Sequence, residues 1–184
     1  MLVGPGLGLQ EPTLAPPNML PDIGDNMDAL DTEIPDSLPD FPVYFSLDPG
    51  FPDPRGGLAN TNAAADQGFE PADILVTPSA GAAPQVYASF AQLGLLPGFD
   101  DVDGFTLWEN GTPGYQRSLI PGDWNDFAVP TDMLLFTVRV GSQVIGQNDS
   151  LHNRPIEPGD ILTTPFGGAG PPAIFYPAEA LGLQ

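Results

Sequence analysis

The chain has no cysteine, no lysine and a single histidine among its 184 residues. Without cysteine there are no disulfides, thiolate metal sites or cysteine nucleophiles. With one histidine, a zinc or copper centre has almost nothing to bind it. Basic residues are scarce too: 4 Arg stand against 24 acids, a formal net charge of −20. Such a balance excludes nonspecific binding to nucleic acid or to anionic membrane. No run reaches the ~18 apolar residues of a membrane span, so no membrane insertion is expected. No basic segment precedes an apolar one as in a signal peptide. Elbow, P-loop and dinucleotide glycine patterns are absent, and no amphipathic helix of ordinary length is visible.

What is abundant is punctuation. The 24 Pro and 22 Gly lie between apolar runs such as MLLFTVRV and DILVTP, as in a turn-rich β protein. The acids divide into 18 Asp and 6 Glu. Asp belongs to turns and metal loops, Glu to helices. Self-repulsion on this scale is relieved by bound cations, by a saline setting, or simply serves solubility. The skew towards Asp favours cations.

The sequence is duplicated. EPADILVTP (70–78) and EPGDILTTP (157–165) are identical at seven of nine positions. Each is the centre of four blocks in one order. DNMDALD (25–31), VYFSLDPG (43–50), EPADILVTP and PQVYASFAQLGL (84–95) make the first unit. DDVDGFT (100–106), LLFTVRVG (134–141), EPGDILTTP and PAIFYPAEALGL (172–183) make the second. We therefore expect a Pro/Gly-rich segment over 1–19, one unit over 20–98 and a second over 99–184, both in one compact domain. Within the first segment a third Leu-Gly-Leu at 7–9 suggests the end of a preceding unit, and MLVGPGLGLQ reads as a mature N-terminus.

Each block reads as a short strand. Val43, Phe45 and Leu47 alternate onto one face, as do Phe136, Val138 and Val140. Asp73 and Asp160 turn into buried Ile-Leu pairs that a Thr-Pro closes. Ser89 and Gly94 are N-cap and stop of one helical turn, with Pro177 at the first helical position and Gly182 at the stop of the other. The fold expected is mainly β. Two pseudo-symmetric repeats form one β-sandwich or flattened barrel, with a short helical turn per repeat and strands pairing across the units.

The candidate sites are acidic and aromatic. Asp25, Asn26, Asp28 and Asp31 in unit one, and Asp100, Asp101 and Asp103 in unit two, crowd oxygens as Ca²⁺ requires, though without EF-hand spacing. Turn capping is the competing reading, and for Asp73 and Asp160 it stands beside completion of a metal site. The insertion of unit two carries Trp108, Tyr115 and Trp124 near Asp123, Asn125 and Asp126. Rings beside carboxylates can stack on and hydrogen-bond to sugars, whereas core packing is the alternative. With so many aspartates, a carboxylate-pair hydrolase is a further alternative. His152 reads as an exposed loop residue. NGT (110–112) and NDS (148–150) fit the glycosylation pattern.

The order D-x-[MV]-D-[AG]-[LF], FS or FT, DIL and LGL, over about residues 20–184, resembles tandem-repeat exported bacterial proteins of the planctomycete type. Gly104 and Phe105 depart from that pattern's Ala-Leu. The resemblance implies a bacterial envelope or extracellular setting and supplies no catalytic residues. Together these readings predict a calcium-stabilised, non-enzymatic structural or adhesion module. A carbohydrate-binding module using Trp108, Tyr115, Trp124 and Asp126 is the alternative. The expected partners are further copies, other surface proteins or glycans.

Overall fold

The computed structural model describes residues 27–32, 42–47, 67–79, 81–119 and 131–183. These residues form a mainly β structure with little helix. Strands β1 (Met27–Thr32), β2 (Val43–Leu47), β3 (Ile74–Thr77) and β4 (Gln85–Ala88) make one four-stranded sheet. Strands β5 (Val102–Trp108), β6 (Met133–Val138), β7 (Ile161–Thr163) and β8 (Ala173–Tyr176) make a second. Each sheet is an antiparallel meander in chain order, because every connection joins neighbours. The first is followed by helix α1 (Phe90–Leu93), the second by a 3₁₀ turn at Ala178–Leu181.

The duplication holds at the level of register. Phe45 pairs with Leu75, and Phe136 with Leu162. Ile74 and Leu75 face Ala88 and Val86; Ile161 and Leu162 face Tyr176 and Ile174. Bulges recur as well. Asp28 and Asp103 are the extra residues of β1 and β5, and Tyr87 and Phe175 those of β4 and β8. A bulge leaves one residue out of the ladder and bends the strand, so shared bulges mark one inherited backbone.

Three local expectations are corrected. Among the described residues the two units do not pair strands; each sheet is built from one unit, and the units meet through their faces. Strand β6 ends at Val138, so Val140 lies in an exposed turn rather than on the strand face. Pro177 is the N-cap of the terminal turn rather than its first residue. Ser89 does cap α1, through a reciprocal capping box with Gln92, and Gly94 ends it in the left-handed conformation (φ 77°).

The sheets pack as a sandwich, and the two units use opposite faces. Sheet one presents Tyr44, Ile74 and Ala88; sheet two presents Leu134, Phe136 and Leu162, in a single core. The register makes Leu134 and Phe136 the counterparts of Val43 and Phe45, which lie on the far side of sheet one in a second cluster with Leu47 and Leu75. The interface is therefore heterologous, a head-to-tail stacking rather than a two-fold pairing. Sheet two covers the Tyr44 side of β2 and the second cluster buries the other side, so the strand is buried along its whole length.

Candidate functional site

Six aspartates are buried among the described residues: Asp73, Asp100, Asp101, Asp132, Asp149 and Asp160. A buried carboxylate is tolerable only when donors replace its water. Five of them engage both oxygens: Asp73, Asp100, Asp149 and Asp160 join a nearby backbone to a remote one, and Asp132 gathers donors that are all remote in sequence.

Asp73 Oδ2 accepts from the N–H of Glu70 at 3.0 Å, and Oδ1 from that of Phe90, the first residue of α1, at 2.8 Å. Asp160 repeats this on Glu157 at 2.9 Å and Ala178, the first residue of the terminal turn, at 2.7 Å. The repeated Glu-Pro-x-Asp thus clamps its own turn to the helical turn that closes its unit. Negative charge at a helix start is favourable, and these hydrogen bonds are charge-assisted. Burial pushes the Asp73 carboxyl above its usual range, with the two backbone donors acting in the opposite direction.

The acidic clusters do not gather. Asp100 Oδ2 accepts from Leu96 N–H at 2.7 Å and Oδ1 from Val144 N–H at 2.9 Å. Asp101 forms an ion pair with Arg139 at 2.8 Å, and Asp103, at its bulge, is exposed. Pleating and the bulge send three neighbouring carboxylates in three directions. No three acidic or imidazole groups come together to hold a metal among the described residues. In unit one, Asp28 and Asp31 lie in β1, while Asp25 and Asn26 fall outside the described residues.

The aromatic candidates separate. Trp108 is 50% exposed at the end of β5. Tyr115, expected on a sugar-binding surface, is instead buried in the shared core, its ring centroid 5.7 Å from that of Tyr87. Burial raises its hydroxyl pKa well above the ordinary value, against the opposing effect of a hydrogen bond with Thr164. Trp124 and Asp126, with Asp123 and Asn125, fall outside the described residues. His152 is exposed, and its N–H is one of three turn donors to Asp149.

Two members of the clamp set carried no signal of their own in the sequence reading. Asp132 accepts from the N–H groups of Asn110 and Gln116 and from the Tyr87 hydroxyl. Asp149 gathers the N–H groups of Leu151, His152 and Arg154 and reaches Ile174 in β8 at 3.3 Å. Asp132 directly precedes a strand, as Asp73 and Asp160 do, and Asp149 sits in an Asn-Asp-Ser turn; both positions are clues in retrospect.

Where the units join, a cleft of about 280 Å³ is lined by Pro71, Phe99, Asp100, Asp101, Arg139 and Ser142 among others. Its chemistry is an ion pair beside a serine whose Oγ accepts from Asp101 N–H at 3.2 Å. No family model matches the chain, and no curated protein or solved structure matches it significantly. No helix among the described residues is long and apolar enough to cross a membrane.

Proposed function

We propose that the chain is a non-enzymatic structural or adhesion module of a bacterial cell-surface or extracellular protein. One observation carries this reading: five buried aspartates, the residues most available for acid–base chemistry, each have both oxygens engaged by donors that hold the fold. The surface setting rests on the resemblance of the repeat to exported bacterial proteins.

Calcium belongs to the same proposal, and it falls on Asp25, Asn26, Asp28 and Asp31 rather than on Asp100 and Asp101. The latter carboxylates are already engaged by protein donors. A cation that binds only the folded state raises its stability by mass action. The test is thermal unfolding in ~2 mM CaCl₂, in matched MgCl₂ and in excess EDTA. The expected result is a Ca²⁺-specific rise of several degrees, retained in Asp103→Asn and lost in Asp28→Asn. No shift would remove calcium from the reading. Hydrolysis of a glycoside that disappears in Asp101→Asn, with the fold unchanged, would overturn the non-enzymatic part.

Glycan binding is the second reading, and the exposed Trp108 ring favours it. Glycan-array binding that vanishes in Trp108→Ala would support it.

A further inference from the structure

The head-to-tail stacking gives unit one a covered face and leaves the same face of unit two open. In unit one the covered positions include Tyr44, Ile74, Ala88, Leu93 and Leu95, all between 0% and 4% exposed. Gly94, between those two leucines, lies so close to unit two that an added Cβ would stand 2.4 Å from the Gly170 carbonyl oxygen.

Their counterparts in unit two are apolar as well: Leu135, Ile161, Tyr176, Leu181 and Leu183. Leu135 and Ile161 are only partly buried. Tyr176, Leu181 and Leu183 are between 43% and 51% exposed. Leu135 and Ile161, with Gly104, Thr106 and Thr137, line a shallow and almost wholly apolar groove of about 240 Å³ on the outer side of sheet two. Gly104 keeps it open, because a Cβ there would come 3.1 Å from Thr137 Oγ1. None of these residues is charged, on a chain whose formal net charge is −20. Among the described residues, a surface positioned and composed like an interface is thus left without its cover.

We propose that this open face of sheet two pairs with the same face of a second copy of the chain. The in-chain interface shows that this side of the unit takes another apolar sheet face. A second copy has one such face to offer among the described residues. Its Val43–Phe45–Leu47 face is already buried at 0–4%, and its Phe136 face lies under sheet one. The remaining arrangement sets Leu135, Thr106 and Ile161 against their own symmetry mates in a two-fold, self-complementary dimer. The attraction is apolar and the long-range repulsion is electrostatic, so salt strengthens the dimer. The screening length falls from roughly 20 Å at ~20 mM salt to roughly 4 Å at ~500 mM.

The test is sedimentation equilibrium of the full chain across a concentration series at both salts. Excess EDTA throughout prevents bridging by divalent cations and makes the outcome independent of the calcium proposal. A monomer–dimer equilibrium is expected, tightening at least ~10-fold at the higher salt. Thr106→Glu and Tyr176→Glu, both at exposed positions, should each weaken it at least ~10-fold with unchanged circular dichroism. A monomer under all conditions would overturn the proposal. So would a dimer indifferent to both variants, or species that grow beyond the dimer.

Discussion

The Tyr87 hydroxyl donates a 2.7 Å hydrogen bond to Oδ2 of Asp132. The pair crosses the junction of the two units, from the bulge of β4 to the residue before β6. Beside it the Tyr44 hydroxyl donates to Glu109 Oε2 at 2.7 Å, and Ser46 Oγ to the Val102 carbonyl at 3.0 Å. The Tyr44 and Tyr87 rings meet edge-on at 4.8 Å. An apolar sandwich specifies that two faces meet; these polar contacts specify where. Burial, then the Asp132 carboxylate, pushes the Tyr87 hydroxyl pKa well up, so it remains a donor at any physiological pH.

Tyr87→Phe should therefore cost about 1.5–3 kcal/mol, the range for a buried hydrogen bond to a charged group. Asp132→Ala should cost more, because it also strands the N–H groups of Asn110 and Gln116. A double-mutant cycle by urea unfolding should return a coupling of about 1–3 kcal/mol. Coupling near zero would mean that the two groups do not hold the units together.

Asp73 and Asp160 make the same pair of contacts in successive units. An Asn in either place can satisfy one N–H through its oxygen but turns an NH₂ donor towards the other. Asp73→Asn and Asp160→Asn should each lose about 2–4 kcal/mol in urea unfolding. Asp103→Asn, exposed at its bulge, should change stability by less than about 0.5 kcal/mol. Equal, small losses at all three would sink the clamp assignment.

Repetition made much of the fold legible: four blocks in one order carry the strands and the closing turns, whereas the pairing expected across the units is replaced by pairing within each unit. The Glu-Pro-x-Asp sentence even exposed its own clamp, because a turn-capping Asp recurred with it. The choice of faces was not legible. Val43, Phe45 and Leu47 alternate as core residues should, yet the Tyr44 side of β2 meets the other unit, and a strand buried on both faces does not say which neighbour lies on which. Tyr115, flanked by Gly and Gln, looks like a surface loop residue until tertiary packing sets its ring beside Tyr87. Asp100, Asp101 and Asp103 look like one site because sequence spacing does not show the bulge that separates them.

Gly94 and Gly182 occupy equivalent left-handed positions, with φ of 77° and 80°. A Cβ at Gly182 meets open space, whereas one at Gly94 collides with the Gly170 carbonyl and the Pro165 ring. Gly182→Ala should therefore cost only the backbone penalty, about 1–2 kcal/mol. Gly94→Ala should add about 1–3 kcal/mol of overpacking between the units. Thermal unfolding of both variants separates the two contributions. Equal losses would show that unit two does not press on this turn.

Two aspartates should respond to acid in opposite senses. Burial raises the Asp149 carboxyl pKa, but the N–H groups of Arg154, His152, Leu151 and Ile174 outweigh it and hold the group below its ordinary value. Its contribution is therefore complete above the unfolded carboxylate pKa of about 3.9 and is lost as pH falls through the lower folded value. Asp73 is held above its ordinary value, chiefly by burial. The folded state then binds its proton more tightly than the unfolded chain does. Asp73 thus contributes stability that is complete below about pH 3.9 and is lost as pH rises through its folded pKa. Urea unfolding from about pH 7 down to about pH 3 should show the stability gap between wild type and Asp149→Asn shrinking. The gap between wild type and Asp73→Asn should widen over the same descent, because only the wild type gains from protonation. Parallel profiles for the two variants would show that burial and backbone donors do not set these carboxylates apart.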